Sequence, residues 1–122
     1  MKYKLAPYKN QSGRFPVKEF IDDEKLCPTK IVAKMKQQLK LLSEFGPEFI
    51  MGNKNCYPLE SSDGLYELKI SNYRLFFSFC RQYVLVLYHI YKKASSSNKK
   101  QDHQISIAEG RMKEYQNLEI CK

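Results

Sequence analysis

The sequence predicts a small α+β domain in which an antiparallel sheet carries its helices on one face, and three observations point there. Residues 65–93 hold three runs rich in aromatic and β-branched side chains, separated by Ser71-Asn72 and by Arg81-Gln82, which read as a three-stranded meander. Ile31, Val32, Met35, Leu39, Leu42 and Phe45 recur at three- and four-residue steps, the period of an amphipathic helix. A length of 122 residues with 43% hydrophobic content fills one core and is too short for two, so residues 1–122 form a single domain.

In chain order, residues 1–10 read as a strand with Tyr3, Leu5 and Tyr8 interleaved with lysines, and Pro7 confines it to a sheet edge. After the break at Gln11-Ser12-Gly13, Pro16 sits in the first turn of a short helix running to Asp23, its apolar stripe being Val17, Phe20 and Ile21. The second helix spans residues 29–45, with Thr29 as its N-cap and Gly46-Pro47 as its stop. Residues 48–63, with Gly52, Pro58 and a Ser-Ser-Asp-Gly cluster, read as a loop holding a short extended piece around Cys56 to Leu59. Beyond the meander, Ala94 to Gln101 is a polar basic loop. Ile105, Ala108, Met112 and Tyr115 then give a final amphipathic helix, weakened by the interior Gly110.

The 21 Lys and Arg against 13 Asp and Glu leave a net charge of +8, which favours a polyanionic partner. Nucleic acid, an acidic membrane surface and an acidic protein all satisfy that number. Cys27, Cys56, Cys80 and Cys121 are scattered without a C-x-x-C pair, and the first residues carry no apolar leader pattern, so a reduced cytoplasmic setting is expected. With His89 and His103 as the remaining soft ligands there is no metal-ligand spacing, and neither metal nor cofactor is expected. No run approaches the length of a membrane span.

Closing both meander turns at two residues fixes the rows. One face then gathers Tyr66, Phe77 and Val86, then Leu68, Leu75 and Tyr88, then Ile70, Tyr73 and Ile90, and should lie under the helices. The other face gathers Leu65, Ser78 and Leu85, then Glu67, Phe76 and Leu87, and finally Lys69, Arg74 and His89, with Lys92 and Lys93 just past the last strand. A three-residue second loop would flip that pairing. Neighbouring strands lie about 5 Å apart, so Lys69, Arg74 and His89 in one row can share a phosphodiester. A guanidinium fork clamps phosphate oxygens, and a crowded ammonium or an imidazole moves protons, which suits metal-free RNA cleavage by the ribose 2′-hydroxyl. Against this, Lys69 beside a turn can simply point into water, Arg74 can pair with Glu67, and a strand-end histidine is more often structural.

The order of elements, with GLYELKISNYRLFF and VLVLYHIYKK in the sheet and Ile105, Ala108, Arg111 and Glu114-Tyr115 in the last helix, resembles the RelE/HigB-like toxins of the phage-derived HigB type. The resemblance implies a microbial-ribonuclease-type fold and the toxin of a type II toxin-antitoxin pair. Such a toxin is an endoribonuclease cutting messenger RNA on the translating ribosome, silenced by a small helix-turn-helix antitoxin through which any DNA contact is indirect. Carried over, Arg74 is the phosphate clamp, Lys69 the basic residue of the preceding strand, Lys92 and Lys93 the paired lysines after the last strand, and His89 a frequent histidine of that strand. Lys54, Lys99, Lys100, Arg111 and Tyr115 join them as RNA-binding candidates. The stretch from Ala94 to Lys100 departs from the family's Thr-x-x-Thr-Pro pattern. The alternative from the residues alone is a non-catalytic nucleic-acid-binding module, or a degenerate toxin acting as a regulator with its antitoxin.

Overall fold

The computed structural model describes residues 2–80, 83–93 and 98–117, and for 98–100 the backbone alone. Along it the elements run β1 (Lys4–Pro7), α1 (Pro16–Asp22), α2 (Thr29–Phe45), α3 (Pro47–Ile50), β2 (Cys56–Pro58), β3 (Tyr66–Ile70), β4 (Tyr73–Cys80), β5 (Val84–Lys92) and α4 (Asn98–Asn117). They form one five-stranded mixed sheet in the order β1-β5-β4-β3-β2, the expected RelE-like arrangement. Only β1 runs parallel to its neighbour, β5, which the long connection through the first helices permits. Pro7 and Pro58 sit in the two edge strands, where a missing N–H costs no ladder bond.

The long helix occupies the expected span, yet Thr29 is its first helical residue and makes no capping bond; Pro28 holds the cap position. The helix stops at Gly46, whose φ of 57° and ψ of −130° only glycine adopts readily, and Pro47 opens the single turn α3 inside what reads as loop. A Cβ on Gly46 would stand 2.3 Å from the ring of Tyr3, so β1 packs directly on the helix end.

Both faces of the sheet are covered, a correction to the expectation of helices on one. α1 and α2 press Val17, Met35, Leu39 and Leu42 onto Leu68, Ile70, Leu75, Phe77, Leu85, Leu87 and Ile90. On the other side α4 lays Ile105, Ala108 and Met112 over Leu65, Phe76, Val86 and Tyr88. The near-continuous apolar runs of β4 and β5 fit strands buried on both sides. α4 begins at Asn98, so helix replaces the later part of the expected basic loop, while 94–97 lie outside the described residues.

The first hairpin closes at Ser71-Asn72 as expected, with the positive φ on Ser71 (55°), and Lys69 faces Arg74. The second does not. Three residues separate Cys80 from Val84, with Tyr83 at φ 65°, and the pairing flips: Phe77 faces Leu87, Ser78 faces Val86 and Phe79 faces Leu85. A bulge beside Phe76/Phe77 then inserts Tyr88 unpaired and flips the strand back, so that Leu75 faces Ile90, Phe76 faces His89 and Arg74 faces Tyr91. Val86 and Tyr88 therefore move to the α4 face, and Leu85 and Leu87 to the α1/α2 face, opposite to expectation. His89 keeps its expected face but stands one row away from Arg74. Cys27 and Cys56 are free and buried; Cys80 is disulfide-bonded, whereas scattered spacing had predicted free thiols throughout. No helix among the described residues is long and apolar enough to cross a membrane.

Candidate functional site

Two adjacent rows on the α4 face build the site. The outer row runs Lys69, Arg74, Tyr91 across β3, β4 and β5; the inner row adds the edge strand and runs Tyr57, Glu67, Phe76, His89. Strand alternation alone sends these side chains to one face.

Glu67 is fully buried, and its neighbours account for it. The Tyr57 hydroxyl donates to its Oε2, Gln101 at the start of α4 donates to Oε1 at 3.4 Å, and Arg74 Nε lies 3.9 Å from Oε2. Burial first, and the adjacent Glu67 carboxylate second, push the Tyr57 phenol well above its usual range, so it stays protonated as a donor. Tyr91 is raised for the same two reasons, yet its buried hydroxyl has no hydrogen-bond partner among the described residues.

Arg74 folds back onto the hairpin tip, where Nη1 donates to the carbonyls of Ser71 (2.8 Å) and Tyr73 (3.0 Å). Its side chain is 11% exposed. Nε is buried without a hydrogen bond, and among the described residues Nη2 has no partner. The contact with Glu67 that competes with a phosphate-clamp role is thus present, at ion-pair distance. Opposite Arg74, the Lys69 ammonium stands 5.2 Å from the Tyr57 ring centroid, a cation–π contact.

His89 belongs to a different set of contacts. Its ring is near-parallel to those of Phe76 and Tyr91, at centroid separations of 6.2 and 6.1 Å. Arg111 Nη1 donates to the Tyr88 carbonyl at 2.9 Å and lies 3.2 Å from His89 Nδ1, while Nε2 bonds Gln104. Arg111 is a donor, so Nδ1 accepts and the proton sits on Nε2, an assignment made from the network. Burial above all, with Arg111 and His103 nearby, lowers the imidazole's affinity for a proton. Both ring nitrogens are engaged, and none is left for a substrate.

The remaining expected residues scatter. Lys92 faces Tyr73 in the ladder and so projects to the α1/α2 side, away from Arg74, whereas Lys93, bonded through its N–H to the Asn72 carbonyl, continues the alternation towards the Arg74 side. Lys54 is exposed in the loop before β2. Arg111 covers the Tyr8 ring besides its bonds to β5, and Tyr115 packs edge-on against Tyr88 at 6.2 Å. Both therefore work in the α4–sheet interface, and the side chains of Lys99 and Lys100 lie outside the described residues. Sequence reasoning did not single out Tyr57, Tyr91 or Gln101. The alternation that placed His89 also placed Tyr91 on this face, a usable signal; Tyr57 and Gln101 arrive through tertiary contacts.

Among the described residues no three His, Cys, Asp or Glu side chains are grouped to hold a metal ion. Chemically, the site offers one guanidinium nitrogen and one ammonium beside a buried carboxylate whose Tyr57 partner is already engaged, and the two cations are the groups able to neutralise an oxyanion.

The family model for Gp49-like phage-derived proteins (DUF891) matches residues 23–113, from the end of α1 through most of α4. No curated protein matches the chain. That family is associated with RelE/HigB-like toxins and implies, in general, an antitoxin partner. With the match spanning all four strands that build the two rows, the chain belongs to the Gp49-like family of phage-derived proteins.

Proposed function

We propose that this protein is the toxin of a type II toxin-antitoxin pair, an endoribonuclease that cuts messenger RNA on the translating ribosome without a metal ion. The observation that carries the reading is Arg74 Nη2, which has no partner among the described residues on the face that Arg74 shares with Lys69. A ribose 2′-hydroxyl gives up its proton to water and attacks the adjacent phosphorus, the P–O5′ bond breaks, and the departing O5′ takes a proton from water, leaving a 2′,3′-cyclic phosphate and a 5′-hydroxyl end. Arg74 and Lys69 hold the charge that builds on the phosphate, and Lys93 joins them from the end of β5. His89, with both nitrogens engaged, positions α4 and is left out of the working set. A helix-turn-helix antitoxin silences the toxin, and the cytoplasm, where ribosomes translate, is its site of action.

The test is expression under tight control, with mapping of new 5′-hydroxyl ends on messenger RNA from purified protein and translating ribosomes, with and without a chelator. Expression should arrest growth. Arg74→Ala, with its fold confirmed, should relieve the arrest and lower cleavage by at least about 100-fold, the scale of a lost charge-stabilising donor. Lys93→Ala should impair cleavage and Lys92→Ala should not. Cleavage unchanged in Arg74→Ala defeats the site assignment. The 89% burial implied by Arg74's 11% exposure favours one other reading, a binding module; salt-sensitive RNA binding without new ends would establish that instead.

A further inference from the structure

We infer that Glu67 is a positioning residue for Arg74, holding its guanidinium in the one orientation that leaves Nη2 for a phosphate oxygen. The inference rests on the reading of Arg74 as the phosphate clamp and goes beyond it by assigning the device that aims the clamp.

Sequence alternation puts Glu67 on the same face as Lys69, and the structure buries it completely, with Tyr57, Gln101 and Arg74 about its carboxyl. A carboxylate taken from water must be paired or hydrogen-bonded, and Glu67 is both. Tyr57 and Gln101 satisfy its oxygens from β2 and α4, which fixes the carboxylate in space. Arg74 is then held on two edges of a planar group: Nη1 by the Ser71 and Tyr73 carbonyls, and Nε by the charge of Glu67 at 3.9 Å. A planar fork held on two edges cannot rotate, and Nη2 is the nitrogen left without a partner among the described residues. The Nε contact is an ion pair longer than a hydrogen bond. Its force is electrostatic, so it depends on the negative charge of residue 67 and not only on its shape.

Glu67→Gln is the discriminating change, since it keeps volume and an oxygen for Tyr57 while deleting the charge. Two readouts are needed on the full chain: the Arg74 Nε–H resonance in a ¹⁵N spectrum, for order and solvent exchange, and cleavage kinetics with translating ribosomes. Wild type should show a slowly exchanging Arg74 signal. In Glu67→Gln that signal should exchange faster, kcat should fall by about 10-fold or more, and KM should stay within about 2-fold, the pattern of an interaction made productive in the transition state. A merely structural role would lower the thermal midpoint and leave the resonance and kcat of the folded fraction unchanged, which would overturn the inference. An ordered Arg74 signal in Glu67→Gln would overturn it whatever cleavage does. If Glu67→Gln does not fold, Tyr57→Phe releases the same carboxylate and must loosen the same resonance. If wild type cuts no RNA, the nuclease reading fails separately. Positioning is then judged by the resonance and by whether a 2′-O-methyl oligoribonucleotide perturbs Arg74 less in the variant; equal perturbation refutes it.

Discussion

Tyr57 on β2 and Tyr91 on β5 both feel the buried Glu67 carboxylate, yet removing their hydroxyls should change stability in opposite directions. Tyr57 donates to Glu67, and a hydrogen bond to a charged group contributes about 1.5–3 kcal/mol. Gln101 and the Arg74 guanidinium still face the Glu67 carboxyl when that hydroxyl is gone, so the lower end, about 1.5 kcal/mol, is the better figure. Tyr91's hydroxyl is buried with no partner, a group that costs about 1–3 kcal/mol to leave unpaired, so its deletion should stabilise by about 1 kcal/mol. For a chain of 122 residues the unfolding entropy is about 0.26 kcal/mol/K, which converts 1 kcal/mol into about 4 °C. Tyr57→Phe should therefore melt about 6 °C below wild type and Tyr91→Phe about 4 °C above it.

Alkaline unfolding separates the mechanism from mere packing. The Tyr57 phenol is raised above its unfolded value of 10.0, so in the window above pH 10 the unfolded chain loses a proton that the native chain keeps. Its stabilising contribution is full below pH 10 and falls as pH rises from there, and Tyr57→Phe should lose less stability than wild type across that window. Calorimetry or circular dichroism at pH 7 and at pH 10.5 reads both effects. A Tyr91→Phe variant that melts below wild type would refute the reasoning, because it would mean that the phenol has a partner that counts.

Two other outcomes follow from the same frame. His89 is held below its usual pKa of 6.5 chiefly by burial, so the unfolded chain takes up a proton first as pH falls below 6.5. Stability should decline there more in wild type than in His89→Gln, measured by urea midpoints at pH 7 and pH 5. Gly46→Ala should cost at least about 2 kcal/mol, or about 8 °C in melting temperature, because a Cβ meets the Tyr3 ring and the backbone angles lie outside the range of L-residues; an unchanged midpoint would show that β1 does not pack on the helix end as described.

The parts legible in the sequence were those governed by local rules. α2 followed its apolar period from Thr29 to Phe45, and a two-residue tip fixed Lys69 opposite Arg74. β5 escaped because two separate one-residue slips shape it. Arg-Gln makes a poor two-residue turn, so the three-residue connection at 81–83 is compatible with the sequence; the bulge at Tyr88 has no glycine or other local mark. The two slips run the same way and add to two residues, so His89 keeps its predicted face but moves one row, while Val86 and Tyr88, lying between the slips, change sides. The α4 layer was legible in principle: Leu65 and Phe76 on the supposedly open face already called for a cover.

The same distinction explains why the cationic pair was visible and its compensation was not. Two like charges opposite each other across a strand pair cost up to about 1 kcal/mol, which invites the conclusion that they wait for an anion. In the folded chain each cation has a local partner, Lys69 the Tyr57 ring and Arg74 the Glu67 carboxylate, and the Tyr57–Glu67 bond joins the two. Tyr57 comes from an edge strand of three residues and Gln101 from the first turn of α4, neither of which local spacing ties to Glu67. The pair of charges alone is therefore no evidence for a ligand. What remains without a partner among the described residues is narrower: the outward Arg74 Nη2, together with the overall charge of +8. That nitrogen is the group a phosphodiester would satisfy, and an RNA complex in which it gains no partner would be bound at some other surface.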